Sequence, residues 1–269
     1  MPTITKITIQ KKNKDRYNIY TDSEHGETYA FSVDEDVLIK YNMKKGKEID
    51  SLLIGEIQFQ DEIRKAYNTA IHYLSSRMRS ESEVRTHLIK KEYAVELIDE
   101  VIHKLYQYQF LNDEEFAIAF VRTQKNTTDK GPNIIRHELK DKGIAEKIIQ
   151  DVIELYPKEE QVETAISLCQ KYTLKYKKDS SRMMQQKIEQ MLTRKGFSYD
   201  MIQLALEEIQ LDKDDDEEMG ALKRQAEKIS RKYNHEEPFI YEQKLKQALF
   251  RKGFPLHLID AYLKENKDV

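Results

Sequence analysis

The hydrophobic pattern changes period once along this chain. Residues 4–9 read Ile-Thr-Lys-Ile-Thr-Ile, β-branched and partly alternating, and Tyr17-Asn18-Ile19-Tyr20 alternates again. Thr28-Tyr29-Ala30-Phe31-Ser32-Val33 is a third run of this kind. Charged turns, Lys11 to Arg16 and Asp22 to Glu27 with Gly26, separate the runs. The pattern predicts a small antiparallel sheet. Asp34 stands as an N-cap before Val37, Leu38, Ile39 and Tyr41, and Gly46 is expected to end that short helix. Three strands need a partner to be stable, and this helix is the obvious one.

From about residue 61 the period is helical. Ala66, Ala70, Tyr73 and Leu74 share a face, and Ser80-Glu81-Ser82-Glu83 reads as a capping box before a second helix, Val84 to Lys91. Leu97, Ile98, Val101, Ile102 and Leu105 predict a third helix. The same three-part pattern then returns. Asn112-Asp113-Glu114-Glu115 caps the next unit, and Gly131-Pro132 breaks it before Ile134, Ile135 and Leu139. Ile148, Ile149, Val152 and Ile153 close it. A third unit starts near Gln161, and a fourth carries Leu222, Ala226, Ile229 and Tyr233. Residues 212–218, Asp-Lys-Asp-Asp-Asp-Glu-Glu, have no apolar residue and read as a solvated linker.

One hexapeptide keeps the register. It reads Leu139-Lys140-Asp141-Lys142-Gly143-Ile144, Leu192-Thr193-Arg194-Lys195-Gly196-Phe197 and Leu249-Phe250-Arg251-Lys252-Gly253-Phe254. A worn copy is Leu88-Ile89-Lys90-Lys91-Glu92-Tyr93. The leucines lie 51, 53 and 57 residues apart, the mark of a repeat architecture. Each copy reads as a helix end: a core Leu, a cation at the negative pole, a left-handed Gly, then an apolar closure. Units of this size bury too little surface to stand alone, so stacking must extend their core. The expected fold is mainly α: tandem three-helix repeats forming an elongated, curved rod behind an N-terminal sheet-plus-helix module. The module takes 1–60 and the repeats 61–110, 111–157 and 158–211; 212–269 holds the acidic linker and the fourth repeat.

Composition narrows function more than fold. Charged residues make up 35% and hydrophobic ones 39%, yet net charge is only −3. A uniform attraction to nucleic acid is therefore not indicated, and local patches must carry any such binding. Cys169 is the single cysteine, so no disulfide framework exists, and it is expected to be a reduced core residue. With no signal-like N-terminus and no long apolar run, a soluble cytoplasmic protein is expected. The seven histidines show no pair at metal-ligand spacing on one helix, and neither a CxxC nor a phosphate-cradling Gly-rich loop occurs. No catalytic constellation is found, so no enzyme activity and no cofactor are expected.

Basic residues are the better lead. Arg77, Arg79 and Arg85 flank the first helix junction, and Arg122, Lys125 and Lys130 occupy the matching position in the second unit. Lys171, Lys175, Lys177, Lys178 and Arg182 follow in the third, and Arg231-Lys232 in the fourth. They form either a partner-binding edge or an ordinary solvated face with interleaved acids.

These residues resemble the RecX family of bacterial recombination regulators. The family's Leu-x-x-Lys-Gly-φ pattern is matched at 139–144, 192–197 and 249–254. Tyr73-Leu74-Ser75-Ser76-Arg77-Met78-Arg79-Ser80-Glu81-Ser82-Glu83 resembles its first-repeat signature. Leu111-Asn112-Asp113-Glu114-Glu115-Phe116-Ala117, with Arg122 and Gly131, resembles its second, and Glu92 departs from the pattern. The resemblance implies a non-enzymatic negative modulator of RecA. Such a protein acts as a monomer on the RecA filament on single-stranded DNA, limiting its growth or promoting its disassembly, and so touches recombination, repair and the SOS response. Some family members also bind DNA directly. Two other readings stand beside this: a DNA-binding protein acting without RecA, and a general helical scaffold.

Overall fold

The computed structural model describes residues 2–23, 26–209, 211, 213–233, 235 and 237–266. Strands β1 (Ile4–Ile9), β2 (Arg16–Ser23) and β3 (Gly26–Asp34) form an antiparallel sheet in that order. The β2–β3 ladder extends into the expected turn, since Asp22 pairs with Glu27 and Ser23 with Gly26. Residues 24 and 25 of that turn, including His25, lie outside the described residues. Helix α1 (Glu35–Lys40) begins as expected, the Asp34 carboxylate accepting the Asp36 N–H at 3.2 Å. It ends before Gly46, because Asn42 already turns left-handed at φ 44°. Gly46 instead donates its N–H to the Ile4 carbonyl at 2.8 Å, returning the chain to β1.

Helix α2 (Ser51–Leu74) starts ten residues earlier than the hydrophobic period suggests, with Asp50 accepting the Leu53 N–H at 2.7 Å. Its face serves two cores in succession, which blurs the period. Ile57 packs into the sheet core with Ile4, Ile19, Val33 and Ile49, and Ile63, Ala66 and Ala70 pack into the first repeat. The expected division at 60/61 thus falls inside one helix. At that point Asp61, 2% exposed, gathers the fold. Its carboxylate accepts from Arg16 of β2 at 2.8 and 3.2 Å, from the Asp34 N–H at 2.8 Å and from Lys65 at 2.8 Å. Burial acts to raise its pKa, but these hydrogen bonds outweigh burial and hold it below the usual carboxylate range.

Three-helix repeats fill the rest of the described chain. With α2, helices α3 (Glu81–Lys90) and α4 (Val95–Gln107) make the first, and α5 (Asp113–Thr127), α6 (Pro132–Asp141) and α7 (Glu146–Ile153) the second. The third is α8 (Lys158–Lys175), α9 (Ser181–Arg194) and α10 (Tyr199–Ile209). The fourth is α11 (Asp215–Tyr233), α12 (Pro238–Arg251) and α13 (Leu256–Glu265). Contacts divide the chain into two units: Met1–Ala117 with Lys142–Ala145, and Ile118–Asp141 with Glu146–Val269. The first residues of α5 belong to the former and the rest to the latter. The hexapeptide leucines Leu88, Leu139, Leu192 and Leu249 are all fully buried. Each such burial contributes roughly 1.5–3 kcal/mol.

Every hexapeptide closes its helix as the sequence suggests. The Gly196 N–H bonds to the Thr193 carbonyl at 3.0 Å and the Phe197 N–H to Leu192 at 3.1 Å, the Schellman pattern. Gly143, Gly196 and Gly253 take φ of 77°, 89° and 84°. Glu92 adopts the same turn at φ 64°, with its N–H on Ile89 and that of Tyr93 on Leu88.

A second role of the three glycine turns was not legible in the sequence: each seats on the N-terminus of the preceding repeat's second helix. In the first unit, the Ser80 hydroxyl accepts the Glu83 N–H of its own helix and donates to the Lys142 carbonyl at 2.7 Å. In the second, the Ser180 hydroxyl accepts from Met183 and donates to Lys252. Also in the second, Gly131 uses its backbone N–H on the Lys195 carbonyl at 2.7 Å, and Asn133 donates to Gly196 at 3.1 Å. The glycine is needed for proximity as well as for φ. A Cβ on Gly196 would lie 2.6 Å from the Ile134 nitrogen, and one on Gly143 2.5 Å from the Ser82 Cβ.

The acidic run belongs to this device, which corrects the linker reading. Residues 215–218 are the first turn of α11, where acids suit the positive pole of the helix. Glu218 is 4% exposed, and its carboxylate accepts the Ser181 N–H of α9 at 3.1 Å. Asp113 does the same for the Glu81 N–H of α3 at 2.7 Å. Asp212 lies outside the described residues.

Candidate partner-binding surface

The eleven basic residues expected at the first three junctions divide by what neutralises them. At the first junction the chain itself uses them. Arg77 grips Glu83 with two N–H groups at 2.8 and 3.3 Å. Glu83 is the capping-box acid; burial acts to raise its pKa, but the bonds from Arg77 and the Ser80 N–H and the charge of Lys142 hold it low. Arg79 donates to the Tyr73 carbonyl at 2.9 Å and to Ser76 at 3.1 Å, and its guanidinium lies 3.7 Å from the Tyr73 ring centre. His87 stacks on the same ring at 3.8 Å and 4°. Two planar groups this close must take its opposite faces, so Tyr73 is the middle of a three-layer stack. Burial, then the charges of Lys91, Arg79 and Lys90, push the His87 pKa down. Arg85 is held by Glu81 and Asp99, both at 2.6 Å.

The second junction is similar. Lys125 pairs with Glu160 at 2.6 Å, and Lys130 with Glu138 at 2.6 Å and Gln124 at 2.9 Å. Arg122, exposed on α5, has no ion pair among the described residues.

The third junction is different. Lys171, Lys175, Lys178 and Arg182 are exposed and have no ion pair among the described residues, and Lys177 is only 4.0 Å from Glu217. Lys175 sits over Tyr172 and Tyr176, 5.1 and 5.7 Å from their ring centres. Lys187 covers Tyr176 at 5.2 Å while pairing with Asp179 at 2.7 Å. Leu174, 78% exposed, stands among them. The end of α8 is therefore a cationic, aromatic-backed surface on which Lys171, Lys175 and Lys178 have no ion pair among the described residues. The interleaving Lys171-Tyr172-Thr173-Leu174-Lys175-Tyr176 carries this signal in sequence.

No group of three His, Cys, Asp or Glu able to hold a metal ion is found among the described residues. Cys169 is buried, which pushes its thiol up to about 11, so it stays protonated and unreactive at neutral pH. No helix among those residues is long and apolar enough to cross a membrane.

Models of four RecX regions match the chain in order. The "Regulatory protein RecX N-terminal domain" covers residues 2–50, and the first and second three-helix domains cover 66–105 and 112–153. The third matches twice, at 159–206 and 215–263. The chain belongs to the RecX family of regulatory proteins. Regulatory protein RecX of Bacillus velezensis is 48% identical over 99% of this chain and 100% of its own length. That of Bacillus subtilis is 46% identical over 99% and 100%. A crystal structure of regulatory protein RecX superimposes with a TM-score of 0.70 at 38% identity, covering 77% of this chain and all of that one. RecX from Lactobacillus salivarius gives 0.55 at 40% identity, over 57% and 99%. The double match of the third RecX domain falls on the repeats whose glycine turns, Gly196 and Gly253, seat on Gly131 and Ser180.

Proposed function

We propose that this chain is a non-enzymatic negative modulator of RecA. It binds the RecA filament on single-stranded DNA and limits its growth or promotes its disassembly. It thereby restrains recombination, DNA repair and the SOS response in the cytoplasm, acting as a monomer. Within RecX-family membership, the observation that carries this reading is the surface at the end of α8. Lys171, Lys175, Lys178 and Arg182 project charge that no carboxylate among the described residues answers. A nucleoprotein filament is polyanionic and supplies that answer. The other basic residues support the scaffold: Arg77, Arg79, Arg85, Lys125 and Lys130 are bound within the chain, and contact falls to the third junction.

The test is RecA's DNA-dependent ATP hydrolysis, which substoichiometric protein is expected to suppress. Unchanged hydrolysis at equimolar protein would overturn the reading. Parallel binding to naked single-stranded DNA, to the filament and to RecA without DNA separates this from DNA binding independent of RecA and from a general scaffold.

A further inference from the structure

Among the described residues, the seating of glycine turns on helix N-termini leaves two halves of the device unused. One is the turn of the first repeat, Leu88 to Tyr93, which has the Schellman bonds of the Gly196 and Gly253 turns but an exposed Glu92 at the glycine position. The other is the N-terminus of α12. There Glu237 is the N-cap, with no side-chain capping hydrogen bond, and Pro238 and Phe239 follow into solvent.

Both free halves carry a glutamate where the three seated junctions cannot accept one. A side chain at the turn glycine would meet helix atoms at 2.5, 2.6 and 2.8 Å in the three seated copies, so Glu92 is excluded by its Cβ alone. The N-cap must give a hydrogen to the incoming lysine carbonyl, from the Ser80 or Ser180 hydroxyl or the Gly131 N–H. An ionised Glu237 side chain has only acceptors to offer there. Gly131 leaves no room for a side chain either, since a Cβ there would lie 2.6 Å from the Gly196 carbonyl. Brought together, the two ends would also oppose two carboxylates.

We propose that Glu92 and Glu237 terminate the repeat array, and that the two ends are complementary halves of a head-to-tail interface for a second copy of this chain, held shut by these residues. The inference does not depend on RecA.

The test is sedimentation of the full chain over a wide concentration range. Wild type is expected to stay a single chain. Glu92→Gly combined with Glu237→Ser removes the Cβ and restores a donor, and its average mass is expected to rise with concentration to at least twice the wild-type value. Glu92→Ala with Glu237→Ser keeps the Cβ and is expected to behave as wild type. Both substitutions remove a local conflict, so the variants should fold, and their circular dichroism and melting are checked alongside. A folded double variant that stays single overturns the proposal. So does end-to-end association of the wild type, or association of the alanine variant equal to that of the glycine one.

Discussion

A single methyl group decides whether residue 196 can occupy its place. Gly196 has φ 89°, and its hydrogen faces the Ile134 backbone where a Cβ would lie at 2.6 Å. Gly196→Ala is therefore expected to cost about 2–4 kcal/mol, from left-handed strain plus overlap with backbone that cannot move away. Glu92→Gly, at an open turn with φ 64°, should stabilise the chain by about 1 kcal/mol. Urea midpoints of the two variants should move in opposite directions. Asp61 makes the other argument at this scale. Its folded pKa lies below its unfolded one, so its stabilisation is full above about pH 4 and is lost as pH falls through the lower, folded value. Asp61→Asn leaves Arg16 buried without its counter-charge, should cost about 3–5 kcal/mol at pH 7, and should flatten the acid limb of a pH–melting profile. The sequence showed the left-handed glycines because a helix stop is a local event. It could not show what touches them, because partners 61 to 73 residues away leave no local trace.

Among the elements, the helices that present one face to one core were read correctly. α4 buries Leu97, Ile98, Val101, Ile102 and Leu105, all of them foreseen. α2 begins earlier than its hydrophobic period predicts because its face changes cores along its length. The acidic turn of α11 reads as a linker because Glu218, which is buried, looks like its solvated neighbours in sequence. The basic residues were found as residue types and only partly as a site, since counter-ions such as Glu160 for Lys125 come from another helix. Arg79 shows the consequence. Its place in the Tyr73 stack makes Arg79→Glu a folding mutation, expected to cost about 1–3 kcal/mol in thermal or urea denaturation. Arg79 is therefore a poor probe of partner binding.

For the whole molecule, the proposed filament contact rests on charge that the described residues leave unpaired. Lys175→Glu with Lys178→Glu alters exposed residues that have no ion pair among those described, so stability should hold within about 0.5 kcal/mol per site. Filament affinity should nonetheless drop roughly tenfold at low salt, equivalent to about 1.4 kcal/mol. The dependence of affinity on salt should become shallower, because fewer counter-ions are released. Binding measured at two salt concentrations checks both statements, and wild-type affinity with a wild-type slope would return these lysines to the role of a solvated face.

The seated turns also turn three amides into gauges. The first N–H groups of a helix have no partner within it and ordinarily trade their hydrogens with water at once. Here the Glu81 amide is covered by Asp113, that of Gly131 by Lys195, and that of Ser181 by Glu218. Each is held by residues beyond its own helix, so deuterium uptake at each one times the opening of that junction alone. A chain with this arrangement reports, amide by amide, which joint a bound partner has clamped and which it has pried apart.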